Sequence, residues 1–307
     1  MILERPAPLR GLVAATHTPF HTDGSLHLDV VGKQGAHLLA NGVKFAFIGG
    51  TTGECSSLTL EERQLLATRW TEVARGTDLQ VIVHVGSNCL ADARSLAAQA
   101  QHLGAAAISA FAPSYFKPGS IAALVDCMAE IAAAAPGLPF YYYEIPLLTG
   151  LTHSPSEFLS RAAERLPNLA GLKFTSHNLM EYQLCRAFRD GAFDIPFGID
   201  ELLLGALALG ATGAVGSGFN FAAPIYQRIL QAFAAGDFAT ARTEQLRGVR
   251  LVQVLASQGY MGAAKAVMKM LGVDVGPARL PNGNPSAQQV AALRSDLDKL
   301  GFFDWIK

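Results

Sequence analysis

Short runs rich in branched and aromatic residues recur at 12–16, 45–48, 81–85, 106–110, 140–143, 171–174, 195–198 and 213–215, separated by longer alanine- and leucine-rich segments. Each run is too brief for a helix and reads as a buried strand, while the segments between them are long enough for helices. Several helices open with recognisable caps. Thr59-Leu60-Glu61-Glu62 and Ser154-Pro155-Ser156-Glu157 each place a hydroxyl three residues ahead of an acid, and Pro155 suits a first helical position. Strands joined by helical crossovers must run parallel, and eight such units close most economically into a (β/α)8 barrel spanning residues 1–224. An open doubly wound sheet gives similar local signals. Beyond residue 224 the strand-like runs stop and helical patterns follow at 225–235, 239–257, 261–271 and 286–300. Residues 225–307 therefore read as a C-terminal helical extension, whose last helix opens with the capping-box pattern Ser286-Ala287-Gln288-Gln289.

Composition narrows the function. The 307 residues are 50% hydrophobic and carry a formal net charge of −1, which leaves no basic field for nucleic acid and no polybasic membrane anchor. A small-molecule partner is the expectation. Cys55, Cys89, Cys127 and Cys185 lie far apart without the paired spacing of a structural zinc site, so they read as reduced packing residues, with no metal expected. The N-terminal Met1-Ile2-Leu3-Glu4-Arg5-Pro6 lacks the apolar core of a secretory signal, and the apolar stretch 202–215 is too short for a membrane span, which together predict a cytoplasmic protein.

In a barrel the reactive residues sit at the carboxyl ends of the strands, which makes strand ends a shortlist. Lys173 stands one residue from the end of the sixth run, where an ammonium either finds a carboxylate or sheds its proton and becomes a nucleophilic amine. Tyr143 ends the fifth run, as a phenol for proton transfer or as a buried aromatic with a bonded hydroxyl. After the second run, Gly49-Gly50-Thr51-Thr52-Gly53-Glu54 is either a cradle for a carboxylate or a plain turn. Asp200 and Glu201 follow the seventh run, Asp200 as a site residue or a helix N-cap, and Gly216-Ser217-Gly218 ends the eighth. Thr175 would point to the same side as Lys173, toward a ligand or as ordinary strand-end polarity. An amine and a phenol at neighbouring strand ends point to carbonyl chemistry.

Taken together these residues resemble the pyruvate-dependent class I aldolases related to N-acetylneuraminate lyase and dihydrodipicolinate synthase. The resemblance covers essentially the whole chain and rests on Thr18-Pro19-Phe20, the Gly-Gly-Thr-Thr-Gly-Glu segment, Tyr143-Glu144-Ile145-Pro146, Gly171-Leu172-Lys173-Phe174-Thr175, Gly198-Ile199-Asp200-Glu201 and Gly216-Ser217. It implies a TIM barrel in which Lys173 forms a covalent imine, Tyr143 moves a proton, Thr51 and Thr52 hold the substrate carboxylate, and no cofactor or metal takes part. Asp200, Glu201 and Ser217, with Thr175 and Gly198, would bind the tail of the substrate. Relatives that take a dicarboxylic substrate carry an arginine where this chain has Leu148, so a polyhydroxylated neutral tail is expected. The implied reaction is reversible cleavage of N-acetylneuraminate to pyruvate and N-acetylmannosamine. Another 2-oxo acid aldolase or a sugar-acid dehydratase would use the same imine, and a non-catalytic 2-oxo acid binding barrel would have no use for the amine. Tyr115 matches a tyrosine that relatives insert across a subunit interface, which implies a homotetramer; a solvent-facing loop aromatic is the alternative. Two positions depart from the family pattern: Glu144, where Asn or His is common, and Gly218-Phe219, where Thr-Tyr is usual.

Overall fold

The computed structural model describes residues 9–307. The N-terminal segment read for a secretory signal lies outside them. Seven parallel strands form one sheet: β1 (Gly11–Ala15), β2 (Phe45–Ile48), β3 (Gln80–His84), β4 (Ala107–Ala110), β5 (Phe140–Glu144), β6 (Leu169–Phe174) and β7 (Gly213–Gly216), in the order β6-β5-β4-β3-β2-β1-β7. The run predicted as a strand at 195–198 is not one, and Pro196 explains why: it has no N–H to give to a ladder. The segment still closes the ring. It forms isolated parallel bridges, Phe174 with Phe197 and Phe197 with Ala214, and hydrogen bonds from Phe174 N to Pro196 O (3.0 Å) and from Val215 N to Phe197 O (2.8 Å) join it to β6 and β7. The molecule is thus a TIM-like α/β barrel with helices at its C-terminal end, as the alternation of runs predicts.

Alternation along the strands sorts side chains to two faces. Val13, Ala15, Phe47, Ile82, Ala107, Tyr141, Tyr143, Ala170 and Val215 point inward and fill the barrel. Leu12, Ile48, Val83, Ile108, Tyr142, Leu172 and Phe174 point outward into the layer shared with the helices. Near the floor of the barrel, Tyr141 donates its hydroxyl proton to Asp194 Oδ2 (3.0 Å), which also accepts from Leu9 N (2.8 Å).

The predicted caps are in place. Thr59 and Glu62 close a capping box on helix Leu60–Ala74, as Ser286 and Gln289 do on Ala287–Leu300, and Ser154 caps Pro155–Arg165; each such cap is worth about 1 kcal/mol. Helix Ala223–Ala234 packs against β1, and helix Phe238–Ser257 packs along it. Helix Tyr260–Met270 then returns toward the barrel mouth. Among the described residues no helix is long and apolar enough to cross a membrane.

Candidate active site

The register of β5 and β6 pairs Tyr143 with Lys173, so the phenol and the amine stand side by side on the inward face at the carboxyl end of the barrel. Both are buried. Lys173 Nζ lies 3.8 Å from the centroid of the Tyr143 ring and 4.5 Å from that of Phe47. None of the ion pairs among the described residues involves it. Ring faces attract a cation by ~0.5–2 kcal/mol each, but this falls short of the several kcal/mol that removing an ammonium from water costs. Burial therefore brings the Lys173 amine down to about 7, against a weaker opposing pull from Asp200. A large share of the amine is then neutral, and nucleophilic, near neutral pH.

Tyr143 is held from three sides. Its hydroxyl is 3.3 Å from Thr51 Oγ1, and its ring meets Phe47 and His84 edge-on at 5.8 and 5.7 Å. Burial pushes the phenol above its usual range, so it rests protonated. His84 is itself buried and kept neutral: Nδ1–H donates to Gly49 O (2.9 Å) and Nε2 accepts from Phe111 N (3.4 Å). It thereby ties the loops after β2 and β4 to β3.

The loop after β2 brings Thr51 and Thr52 to the cavity wall. Its turn needs Gly49 at φ +60°, and it places Glu54 at φ 56°, a left-handed conformation unusual for a residue with a side chain. Glu54 is kept there by Lys265, whose Nζ lies 2.6 Å from Oε1 with both side chains essentially unexposed. Lys265 also donates to Thr18 O (2.9 Å) and Pro277 O (2.8 Å), while Glu54 Oε2 accepts from Arg279 N (2.8 Å). Neither glutamate nor lysine reaches the cavity.

Across the mouth, Asp200 is buried with its carboxylate set against Gly216 and Gly218, where an added Cβ at either glycine would collide with it. Oδ2 accepts from Gly218 N (2.6 Å). It does not cap a helix: Ile199 occupies the N-cap of the short turn Asp200–Leu202. Burial, and secondarily the neighbouring Glu201, raise the Asp200 carboxyl to about 7. Ser217 Oγ is 2.6 Å from Tyr260 Oη, and Gln245 donates to Asp200 O (3.2 Å) while accepting from Leu204 N (2.8 Å). Two residues of the C-terminal helices thus brace this wall.

A cavity of about 380 Å³ brings together Lys173, Tyr143, Thr51, Thr52, Thr175, Gly198, Asp200, Glu201 and Ser217, all of them expected from the sequence. Thr175 Oγ1 lies near the Tyr143 hydroxyl but in hydrogen-bond geometry with no partner, and packs so closely on Gly198 that a side chain there would strike it. Tyr115 is elsewhere. It is 81% exposed, stacks edge-on with Phe116, and does not border this cavity. His177 and Tyr260 also line the cavity and had no local signal in the sequence; Tyr260 arrives from a helix whose pattern reads simply as amphipathic. Among the described residues no cluster of three or more His, Cys, Asp or Glu side chains is spaced to hold a metal ion.

The dihydrodipicolinate synthetase family model matches residues 8–300. The N-acetylneuraminate lyase of Xenopus tropicalis is 43% identical over 276 residues, covering 89% of this chain and 90% of that protein. Among solved structures, Proteus mirabilis N-acetylneuraminate lyase superposes with a TM-score of 0.93 at 38% identity, covering 96% of this chain and all of that one. The N-acetylneuraminate lyase (sialic acid aldolase) of Aliivibrio salmonicida gives the same TM-score at 40% identity, over 96% of this chain and 98% of its own.

Proposed function

The chain belongs to the dihydrodipicolinate synthetase family, and we propose that it is an oxo-acid lyase that cleaves N-acetylneuraminate reversibly to pyruvate and N-acetylmannosamine through an imine on Lys173. The observation that carries the reading is a buried amine with no ion-pair partner among the described residues, side by side with a phenol, in a cavity with hydroxyls on one wall and acids on the other. Full-length relatedness to N-acetylneuraminate lyases supports the choice of substrate.

In this reading neutral Lys173 attacks the C2 ketone of the open-chain sugar acid and water leaves, forming the protonated imine. That cation draws the electron pair of the C3–C4 bond as it breaks, while the proton of the C4 hydroxyl passes to Tyr143. A phenol that rests protonated accepts a proton only as it hands on its own. The Thr51 hydroxyl, 3.3 Å away, and the substrate carboxylate held at Thr51 and Thr52 are the acceptors at hand. N-Acetylmannosamine departs, the enamine is protonated at C3, and water releases pyruvate. The protonated imine supplies the polarisation, so the proposed reaction needs no cofactor. Asp200, Glu201, Ser217, Thr175 and Gly198 form the wall for the hydroxylated tail, and Leu148 in place of an arginine disfavours a second carboxylate.

We propose further that the active form is an oligomer. Tyr115, Phe116 and Leu147 are large apolar side chains left exposed around the barrel mouth, and Asn88 Oδ1 fixes the Tyr115 loop by accepting from Ser114 N (2.8 Å) and Tyr115 N (3.1 Å). A homotetramer in which Tyr115 enters a neighbour's site accounts for both. A substrate panel read by pyruvate release tests the chemistry: N-acetylneuraminate should be cleaved well, and strong preference for aspartate semialdehyde condensation or a shorter 2-keto-3-deoxy acid would overturn the assignment. Light scattering tests the assembly, with a fully active monomer as the contrary result.

A further inference from the structure

Glu144 has no part in the chemistry just described, yet it is buried beside it. It ends β5 directly after Tyr143 and, by strand alternation, faces the helix layer as Tyr143 faces the cavity. No cation pairs with it among the described residues. Among the described residues its carboxylate has one hydrogen-bond donor: Thr175 N, 3.0 Å from Oε2. The same N–H also reaches the Glu144 carbonyl at 2.9 Å, which completes the β5–β6 ladder, so Thr175 is gripped by main chain and side chain of one residue. The other acid nearby, Glu181 of helix Leu179–Ala187, is engaged elsewhere, accepting from Ser154 Oγ (3.1 Å) and Ser156 N (3.2 Å). An acid taken out of water with a single donor is costly, and a neutral side chain of similar size would fill the space at less expense. Burial pushes the Glu144 carboxyl up to about 7 while the Thr175 N–H pulls the other way, so what the acid adds is a hydrogen bond to the first residue beyond β6 that is charge-assisted in its ionised form.

Thr175 is where that bond matters. Thr175 lines the cavity with its hydroxyl sunk into the wall, near the Tyr143 hydroxyl and against the Gly198 backbone, in hydrogen-bond geometry with no partner among the described residues, so the position of its amide decides where Oγ1 stands. We propose that Glu144 is a positioning residue for recognition of the sugar-acid tail: by holding the Thr175 amide it sets the Thr175 hydroxyl in the cavity wall. The inference rests on the functional reading above, and deepens it.

The test compares wild type with Glu144→Leu and Glu144→Gln by steady-state cleavage and by borohydride trapping of the pyruvate imine, which requires Lys173 but no tail. Loss of one hydrogen bond to a charged group should raise KM for the sugar acid about tenfold in Glu144→Leu, with kcat and pyruvate trapping changed less than about threefold. Glu144→Gln, which keeps an acceptor, should recover most of the loss. Glu144→Ala serves if leucine does not fit. Thr175→Val should reproduce the KM increase, and adding it to Glu144→Leu should have little further effect, since both remove the same contact. An unchanged KM in both the leucine and alanine variants, additive effects with Thr175→Val, or pyruvate trapping lost in parallel with cleavage would overturn the proposal. Wild-type cleavage of N-acetylneuraminate tests the functional reading by itself. The role of Glu144 is read from variant-to-wild-type ratios on whichever sugar acid the wild type cleaves.

Discussion

Lys173 and Lys265 lie in different parts of the molecule, one at the mouth of the barrel and one in the C-terminal helices, and both are withdrawn from water. Both also sit over an aromatic face, Lys173 at 3.8 Å from Tyr143 and Lys265 at 4.4 Å from Phe20. Burial and ring contact therefore do not distinguish them. The difference is oxygen. Lys265 has a carboxylate at 2.6 Å and two carbonyls, and these replace the hydration it lost. Lys173 has no ion pair among the described residues, and its proton becomes easy to remove. One environment holds a charge in place and the other leaves an amine suited to the proposed attack on a carbonyl, so the partners of a buried lysine, rather than its burial, separate the two.

Removing each lysine in turn should have opposite consequences. Lys173→Ala should abolish turnover and borohydride trapping with pyruvate, and its melting temperature should equal or exceed that of the wild type, because the cost of an unpaired buried amine disappears. A large loss of stability would place Lys173 with Lys265 as a structural residue. Tyr143→Phe separates the amine from its neighbour: the imine should still be trapped while cleavage falls by roughly 10² to 10⁴, as expected for a lost proton-transfer group. Lys265→Met should show the reverse pattern to Lys173→Ala, a loss of about 3–5 kcal/mol in unfolding free energy because Glu54 is left buried and unpaired, with most of it regained in the Lys265→Met/Glu54→Leu double variant. Denaturant titration reads both. The smallest effect is on pH dependence. With Lys173 at about 7, the rate of imine trapping should climb about tenfold between pH 6 and pH 8 as the amine loses its proton, and a rise appearing only near pH 10 would remove the claimed perturbation.

The difference between the two lysines was only half visible in the sequence. Lys173 could be singled out because a charge interrupts a short apolar strand, a pattern confined to a few neighbouring residues. Lys265 falls in an amphipathic helix where lysine is ordinary, and its partner Glu54 is distant in the chain, so nothing local marks it. Tyr260 and Gln245 escaped for the same reason: each acts on a loop that only the fold brings near. The strands were legible because their apolar runs are continuous. The exception, 195–198, has the right side chains but the wrong backbone, since one proline removes the donor that a ladder needs. Tyr115 could be located on its loop but not aimed: its ring is exposed, edge-on to Phe116 and away from this chain's cavity.

The packed interior of the barrel has a consequence for the order of events. Below Lys173 the space is filled by Tyr141, Ile82, Ala107 and Ala170, with the Asp194 carboxylate closing the floor, so everything that enters must return by the same door. In the proposed reaction the fragment joined to Lys173 would be innermost and the sugar tail outermost. Departure then follows a queue: the aldehyde sugar leaves first and pyruvate last. By the same proposal free pyruvate entering ahead of the sugar acid would occupy the innermost place as its own imine and keep the next substrate waiting outside.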